Sequence, residues 1–385
     1  MTIKAVIRIS CIGLVLAFPA LLSAQDSVAV RDTSSLITDT ISFQVSDTTA
    51  PLSPRPPAPR PTVRLAFTGD INLGTTTIPD ALPPDSGRVL FASVDSLLVG
   101  DRVIGNFEGV LADTGTSPKC KPHSKMCYAF STPTWLAVRL VEAGFTDLNL
   151  ANNHANDMGL AARLASDSVL RSLGLRTYGP LGQIDIDSVV HGDSVAVVGI
   201  VGFTTYPFAN NLLDIPASVA LIDSLRPLVD ILVVTFHGGA EGAEAQHVPN
   251  GPEELGKEPR GDLRNWAHAV VDAGANIVVG HGPHVLRGME FYRGTLIAYS
   301  LGNFATYKGF NLTGPNGLTT VLQVELGPDG GFVRGRAVPL MQIARVGPEP
   351  DPSGRAASLI GQLSAEDFGP ESAARLSSDG EISPP

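Results

Sequence analysis

The sequence predicts a layered α/β domain, and three observations support that prediction. Short aliphatic runs bounded by glycine or polar clusters are typical of buried strands. They span residues 63–67, 103–105, 148–150, 195–200, 231–236, 277–280 and 296–299. Helical patterns separate several of them, at 134–143, 160–173, 218–228 and 263–273. This alternation favours sheets flanked by helices. Two further runs around a glycine-rich turn predict a late hairpin, at 318–326 and 333–340.

The composition is that of an ordinary globular protein, with 43% hydrophobic and 17% charged residues among 385. The predicted domain, residues 62–345, is long enough to bury one large core. The net charge of −11 and the absence of a Lys/Arg-rich run indicate no nucleic-acid partner. An acidic protein repels polyanions unless a bound metal reverses the local charge.

The N-terminal residues are typical of an export signal. Lys4 and Arg8 precede a short apolar stretch, and small residues up to Ala24 resemble a cleavage site. We therefore predict a signal peptide at 1–24 and a periplasmic, envelope or extracellular location. A retained membrane anchor is the alternative, although the stretch is short for a bilayer.

Two flanking segments and one cysteine pair complete the organisation. Residues 25–61 are rich in Ser, Thr and Pro and predict a disordered linker. Residues 346–385 predict a mostly disordered tail with one short helix at 354–368. Cys120 and Cys127 suggest one local disulfide in an oxidising compartment, and two free thiols are the alternative.

Nearly every predicted strand ends in a polar or ionisable cluster, where functional groups of α/β sheets gather. The clusters are centred on Asp70, Asn106–Glu108, Asn152–Asp157, His237–Glu241, His281–His284 and Ser300–Asn303. Carboxylate, amide and imidazole groups without thiolates suit Mn, Fe or Zn rather than a closed structural zinc site. The sequence therefore predicts one or two divalent ions that activate water for hydrolysis.

The same six clusters resemble, in order, the motifs of the CapA family of poly-γ-glutamate capsule biosynthesis proteins. They read TGDINLG at 68–74, NFE at 106–108, NNH at 152–154 with Asp157 and Gly159, HGGAE at 237–241, GHGPHV at 280–285 and YSLGNF at 299–304. The resemblance spans about residues 62–340. It implies a layered calcineurin-like metallophosphoesterase fold, with β-sheets flanked by helices.

The resemblance also implies roles for individual residues. His154 would assist the leaving group, with Asp157 as its catalytic companion. The implied metal ligands are Asp70, Glu108, Asn153, His237 and His281, with His284 as a further ligand or a supporting group. The implied substrate-binding residues are Asn72, Asn106, Glu241, Arg287, Ser300 and Asn303.

Four departures from the family pattern bear on these roles. Asn72 stands where a typical metallophosphoesterase has histidine, and Asn106 and Glu108 stand where its second motif offers aspartate. Both changes bear on the second metal. Gly238 replaces a common aromatic residue, and Arg287 lies close to a position where glutamine is common. These two changes bear on substrate contacts.

The leading hypothesis is an exported CapA-like protein in poly-γ-glutamate or capsule polymer synthesis, export or attachment, with a metal-dependent phosphoesterase-type site. Its partners would be an anionic polymer or phosphorylated envelope substrate and capsule-synthesis membrane proteins. One alternative is a non-catalytic polymer-binding or assembly factor on the same fold. Another is a metal-dependent γ-glutamyl amide hydrolase.

Overall fold

A computed structural model describes residues 59–120 and 128–385. Its strands are β1 (Val63–Asn72), β2 (Arg102–Phe107), β3 (Asp147–Asn149), β4 (Arg176–Tyr178), β5 (Asp185–His191), β6 (Ser194–Thr204), β7 (Asn210–Asn211), β8 (Ile231–His237), β9 (Glu253–Leu255), β10 (Glu258–Gly261), β11 (Ile277–His281), β12 (Met289–Tyr292), β13 (Thr295–Ala298), β14 (Asn303–Thr306), β15 (Leu318–Leu326), β16 (Phe332–Ile343), β17 (Gly347–Pro350), β18 (Arg375–Leu376) and β19 (Glu381–Ser383). Its helices are α1 (Val138–Glu142), α2 (Leu160–Ser172), α3 (Ile215–Leu225), α4 (Leu263–Asp272) and α5 (Arg355–Phe368).

Two large sheets organise these strands. The first has the order β18-β19-β16-β15-β1-β2-β3-β4, with β14 beside β1 and β17 beside β16. The second has the order β12-β13-β11-β8-β6-β5, with β7 beside β6. Strands β1 to β4 are parallel, as are β6, β8, β11 and β13. Parallel neighbours end at the same edge of a sheet, so the loops that follow them are brought together.

Strand β1 shows how the layers arise from a period of two. Leu65 and Phe67 belong to a core cluster that also contains Val233 and Val279 of the second sheet. Ala66 belongs to a different cluster on the other face, and Ile71 joins that cluster after a register shift between Asp70 and Ile71. Because successive side chains point to opposite faces, one strand supplies both cores. The two sheets therefore pack face to face.

Helices cover the outer faces of the two sheets. Leu140 of α1 and Leu170 of α2 join the outer core of the first sheet. Ile222 of α3 and Trp266 of α4 join the outer core of the second. The buried indole of Trp266 donates to the Ser218 hydroxyl at 3.0 Å, which satisfies its only polar group. The layered α/β class predicted from the sequence is confirmed.

The C-terminal residues differ from the expected disordered tail. The predicted short helix is present as α5, but Ile360 and Leu363 of that helix are buried. Ile382 of β19 is also buried, and β19 pairs with β16. Residues 347–383 thus contribute to the core, because scattered apolar residues that show little periodicity along the chain become adjacent once folded. The predicted hairpin is confirmed as antiparallel β15 and β16.

Several predictions fall on residues outside the described ranges. They concern the signal peptide, nearly all of the predicted linker, and Cys127. Cys120 is disulfide-bonded. Within 59–120 and 128–385, no helix has both the length and the apolar character that crossing a membrane requires.

Candidate metal centre

The centre begins where β1 ends, and a close main-chain approach fixes its position. The amide of Asp70 donates to the Gly302 carbonyl at 2.9 Å. A Cβ on Gly69 would lie 2.0 Å from that same carbonyl oxygen, so only glycine fits there. Strand β14 then runs parallel to β1, with Asn303 in register with Asp70. The TGD motif and the later LGN motif are therefore neighbours in space.

Three ionisable side chains from separate motifs meet at this point. Ligand atoms of Asp70, Glu108 and His284 all lie within 4.8 Å of one another. His284 Nδ1 lies 3.0 Å from Asp70 Oδ2, and its Nε2 lies 3.5 Å from Glu108 Oε1. His284 has a positive φ of 59°, which is uncommon for a residue with a side chain. We call these three residues the metal cluster.

Glu108 lies at the centre of a wider ring of imidazoles. Its Oε1 lies 3.9 Å from Nε2 of both His154 and His237. Glu108 is fully buried, and neither carboxylate oxygen has a hydrogen-bond partner among the described residues. His237 Nε2 is likewise buried without a partner in that part of the chain. Buried polar groups are rarely left unsatisfied, so these atoms fit the ligands of a cation.

The electrostatics of the cluster agree with its geometry. Burial raises the pKa of Glu108 well above its ordinary value, since the charged form loses its hydration. Burial alone would lower the pKa of His284, but Glu108, together with the charge and hydrogen bond of Asp70, raises it to about 10. A protonated His284 therefore supplies the positive charge that a metal would supply.

The pKa values of His237 and His154 shift in the opposite direction to that of His284. Burial lowers the pKa of His237 well below its ordinary value, although Asp70 opposes that shift. Burial also lowers the pKa of His154, against the opposing contact with Asp157. Both imidazoles are therefore kept in the neutral form that binds metals and accepts protons.

His154 belongs to a network that extends to the surface. Its Nδ1 lies 2.6 Å from Asp157 Oδ2, and Asp157 is fully buried. Lys119 donates to Asp157 Oδ1 at 2.7 Å, and the main-chain amide of Phe130 donates to Asp157 Oδ2 at 2.7 Å. Asp157 therefore fixes the ring of His154, leaving Nε2 on the side of Glu108. The structure brings together the predicted catalytic pair.

Two aromatic rings line the space beside the histidines. The ring of Phe130 lies 4.4 Å from that of His154 between centroids, and the ring of Phe310 lies 5.3 Å from that of His284. The two phenylalanines stack on each other at 5.1 Å. These contacts desolvate both imidazoles and so strengthen the electrostatic interactions around them.

Asn106 forms hydrogen bonds inside the site. Its amide nitrogen donates to Asp70 Oδ1 at 2.8 Å and lies 3.3 Å from His237 Nδ1. Its amide oxygen accepts from the side chains of Asn149 at 3.0 Å and Asn152 at 3.3 Å. Asn106 is fully buried. Its polar atoms orient the cluster, and the substrate-binding role stays a prediction.

His281 and Asn153 have different relations to the cluster. His281 Nε2 lies 2.9 Å from the Thr68 carbonyl, and its Nδ1 lies 3.3 Å from the Phe236 carbonyl. Both nitrogens thus face main-chain oxygens, and the structure leaves His281 outside the metal cluster, contrary to the prediction. The Asn153 side-chain oxygen is buried and, among described residues, has no hydrogen-bond partner, so it is free to bind a cation.

Four more predicted substrate contacts are structural. Asn72 is fully buried: its side chain donates to the Glu108 carbonyl at 2.8 Å and accepts from the Gly74 amide at 3.2 Å. Ser300 is buried and accepts from the Gly302 amide at 3.3 Å. Asn303 is buried and donates to the His284 carbonyl at 3.1 Å, which supports that loop.

Arg287 is the fourth. Its guanidinium is fully buried and forms a two-pronged ion pair with Glu253, at 2.9 and 2.6 Å. It also donates to the carbonyls of Ala245 and Ala240. Arg287 thus holds the loop after β8 and contacts no open cleft. Of the six residues predicted to bind substrate, Glu241 alone keeps part of its side chain exposed, at 22%.

Sequence reasoning missed several residues that surround the centre, namely Lys119, Phe130, Glu253, Arg260 and Phe310. Each lies outside the strand-end clusters. One signal was available: Lys119 directly precedes Cys120, which the disulfide prediction had already singled out. The others carry no local pattern that would separate them from ordinary core or surface residues.

The residues present fit a divalent metal. The metal cluster offers two carboxylates and one imidazole, and His237 and Asn153 add unpaired donor atoms. Nitrogen and oxygen donors without thiolate suit Mn, Fe or Zn. The decisive observation is the pair of orphaned Glu108 oxygens, because an ionised carboxylate without partners is costly to bury unless a cation compensates it.

Comparisons with known proteins show the family of the chain. Residues 64–308 match the model of the family "Bacterial capsule synthesis protein PGA_cap". The chain is 29% identical over 276 residues to the PGA biosynthesis protein CapA of Bacillus subtilis, covering 64% of each protein. It is 31% identical over 229 residues to the capsule biosynthesis protein CapA of Bacillus anthracis, covering 55% of this chain and 52% of that protein. The chain thus spans less than two thirds of either relative.

Solved structures give more distant matches. A hypothetical protein from Thermus thermophilus aligns with a TM-score of 0.42 and 16% identity, covering 71% of this chain and 96% of that one. A putative 5′-nucleotidase from Staphylococcus aureus aligns with a TM-score of 0.40 and 14% identity, covering 78% and 58%.

Proposed function

Because the chain belongs to the bacterial capsule synthesis protein family, we propose that it acts in the synthesis, export or attachment of poly-γ-glutamate or a similar capsule polymer through a metal-dependent hydrolytic site of the phosphoesterase type. One observation carries the proposal. Asp70, Glu108 and His284 converge from three motifs, and both Glu108 oxygens are buried without a partner in the described part of the chain. A purely structural loop would not retain such groups.

The metal would be held by Asp70, Glu108 and His284, with His237 and Asn153 as additional donors. A bound divalent metal lowers the pKa of water and stabilises charge on a phosphoryl or carbonyl oxygen. His154, neutral at rest, would take up a proton at Nε2 from the attacking water and pass it to the leaving group. Asp157 orients it through Nδ1 at 2.6 Å, so the proton-transferring nitrogen is fixed on the side of Glu108.

The substrate would be an anionic polymer or a phosphorylated envelope molecule. A chain with a net charge of −11 repels such molecules, so a metal in the cleft would supply the attraction. Export, predicted from residues 1–24, would place the site where capsule polymer is assembled. Membrane proteins of capsule synthesis are the partners that this location favours.

Two observations favour a non-catalytic binding or assembly factor as the second candidate. Asn72 is fully occupied by main-chain hydrogen bonds, so it supplies no ligand where a typical metallophosphoesterase has histidine. His281 faces two carbonyls. A site with fewer ligands would hold a metal and a polyanion without turnover. A γ-glutamyl amide hydrolase would use the same groups on an amide.

Metal analysis of purified full-length protein, with assays of bis(p-nitrophenyl) phosphate and poly-γ-glutamate in Mn²⁺, separates these candidates. We expect bound metal and phosphodiester turnover, both lost in Glu108→Gln. Shortening of poly-γ-glutamate without phosphodiester turnover would support the amide hydrolase. Metal with binding of the polymer but no turnover would support the assembly factor. A protein without metal or activity would overturn the proposal.

A further inference from the structure

Arg260 is a fully buried cation near the metal cluster for which the proposed chemistry has no use. It lies on β10, in the hairpin that β9 and β10 form after the HGGAE motif. Its Nε donates to the Gly239 carbonyl at 2.8 Å, and its own carbonyl accepts from the Gly239 amide at 2.9 Å. Arg260 therefore fixes the turn that leads from His237 to Glu241.

The guanidinium of Arg260 also pairs with Glu241. Its Nη2 lies 3.0 Å from Glu241 Oε1, while Glu241 Oε2 lies 3.9 Å from His284 Nε2. Glu241 is thus between the buried cation and the metal cluster. Within the described residues, neither Glu241 Oε1 nor Arg260 Nη2 has an aligned hydrogen bond, so charge rather than hydrogen-bond geometry holds the pair.

The position of Glu241 matters because a catalytic metal site needs an open position for water or substrate. A third carboxylate beside Asp70 and Glu108 would be a strong additional ligand for a hard or borderline cation. Glu241 is close enough to His284 to reach the cluster by a side-chain rotation, yet it is not within the 4.8 Å group. The positive charge of Arg260 lies 3.0 Å from Glu241 Oε1 and attracts that carboxylate.

We infer that Arg260 is a positioning residue that withholds Glu241 from the metal and so keeps one coordination position open. The inference rests on the proposed function, since it concerns the same metal. It assigns to Glu241 the place of an acceptor at the cleft wall, where a substrate N–H or the attacking water would donate to it. Its partial exposure of 22% fits that place.

The test measures Mn²⁺ affinity by calorimetry and phosphodiester turnover, both on the full chain. In Arg260→Met, Glu241 is released, so we expect roughly tenfold tighter Mn²⁺ binding together with lower turnover. A residue that only supported the fold would lower both. The double variant Arg260→Met/Glu241→Gln should return Mn²⁺ affinity to near the native value, because the extra ligand is gone.

Two further variants complete the design. Glu258→Gln is the matched control, because Glu258 approaches the same guanidinium at 3.4 Å and its side chain is 44% exposed. It should leave affinity and turnover unchanged. Arg260→Lys keeps the positive charge, so this variant should bind Mn²⁺ with native affinity. Glu241→Gln removes the carboxylate that offsets Arg260, so this variant should bind Mn²⁺ more weakly than the native protein.

The outcomes are distinct. Unchanged or weaker Mn²⁺ binding in folded Arg260→Met overturns the inference alone. If Arg260→Met fails to fold, the other two single variants decide. Weaker Mn²⁺ binding in Glu241→Gln together with native Mn²⁺ affinity in Arg260→Lys supports the inference, and any other result overturns it. A native protein that binds Mn²⁺ but hydrolyses nothing refutes the proposed hydrolysis while the affinities still test Arg260. A native protein that binds no Mn²⁺ overturns both.

Discussion

The two ends of strands β2 and β3 bury charge in opposite ways. At their start, Arg102 donates through Nε to Asp147 at 2.8 Å and through Nη2 to both Asp147 and Asp185. Arg102 is 2% exposed and Asp147 is fully buried. At the other end, Glu108 is equally buried but has no hydrogen-bond partner among the described residues. The same strands thus carry a hydrogen-bonded charge at one end and a charge without a hydrogen bond at the other.

This difference separates structural from functional charge. The Arg102 network joins strands of both sheets, and its cation is paired with two carboxylates, although its Nη1 has no hydrogen-bond partner among the described residues. At the other end Glu108 has the imidazole of His284 3.5 Å away but no hydrogen bond among the described residues, and a bound cation would supply the missing compensation. Natural proteins often accept such a local cost at functional sites. Five predictions concern this contrast and the site beside Glu108.

The largest expected effect is at the Arg102 end. Asp147→Ala removes the main partner of Arg102 and leaves a buried cation poorly compensated, which costs about 3–5 kcal/mol in the free energy of unfolding. Urea denaturation of the metal-free protein measures it. The control is Asp187→Asn, since the exposed Arg176–Asp187 pair is expected to contribute about 0–1 kcal/mol. Equal losses of unfolding free energy in Asp147→Ala and Asp187→Asn would show that the buried Arg102 pair contributes no more than an exposed pair.

At the Glu108 end, the sign of the stability change should reverse. Glu108→Gln replaces a buried, unpartnered carboxylate with a neutral amide, so metal-free protein should keep its stability or gain roughly 1 kcal/mol. Mn²⁺ binding should be lost in the same variant. Denaturation with and without Mn²⁺ measures both effects. A clear loss of stability in metal-free Glu108→Gln would show that this carboxylate has a structural role after all.

The two ends should also respond to pH in opposite directions. In metal-free protein, Glu108 and Asp70 raise the pKa of His284 to about 10 against the lowering effect of burial. The stability from His284 is therefore fully present below pH 6.5 and is lost as the pH rises through 10. Thermal unfolding in EDTA, compared with His284→Asn, measures this alkaline loss. A variant with the same alkaline loss as the native protein contradicts it.

Asp101, near the start of β2, gives the matching acid response. Burial would raise its pKa, but hydrogen bonds from Arg64 and His191 lower it below the ordinary value. Its contribution to stability is therefore present above pH 3.8 and is lost as the pH falls through the folded pKa. In Asp101→Asn, thermal stability should fall less at acid pH than in the native protein, while its loss at alkaline pH should be unchanged.

The smallest expected effect concerns Lys119. Lys119→Met removes the donor that binds Asp157 at 2.7 Å, so Asp157 and His154 should be less well fixed. We expect turnover to fall about two- to fivefold without a change in Mn²⁺ affinity, the size expected from one partly exposed hydrogen-bonded charge. Lys119→Arg should restore most of it, and Lys257→Met, at the exposed hairpin turn, is the control. A native rate in Lys119→Met would exclude this role.

The family, the fold class and much of the cluster could be predicted from the sequence. Strand runs and helical patterns appear in the structure close to their expected positions, because hydrophobic periodicity directly reflects which face is buried. The prediction that strand-end groups converge is supported for Asp70, Glu108, His154, His237 and His284, since parallel strands end at one edge.

The roles of other residues could not be predicted, because the hydrogen-bond partner of a polar side chain depends on tertiary contacts. Asn72 is occupied by the Glu108 carbonyl, and Arg287 by Glu253, which is 34 residues away in the chain. Neither partner can be identified from local patterns. The C-terminal residues were misjudged for a related reason: α5 and β19 bury apolar side chains against strands that come much earlier in the sequence.

The sequence by itself determined which chemical groups stand at the strand ends and to which family they belong, because those features are local and ordered along the chain. Only the tertiary structure decided which of these groups remain without partners. Hydrogen bonding and burial are settled by contacts between distant segments, as when the hairpin of β9 and β10 supplies Arg260 to Glu241. Capacity for function depends on what such contacts leave unsatisfied, as at Glu108.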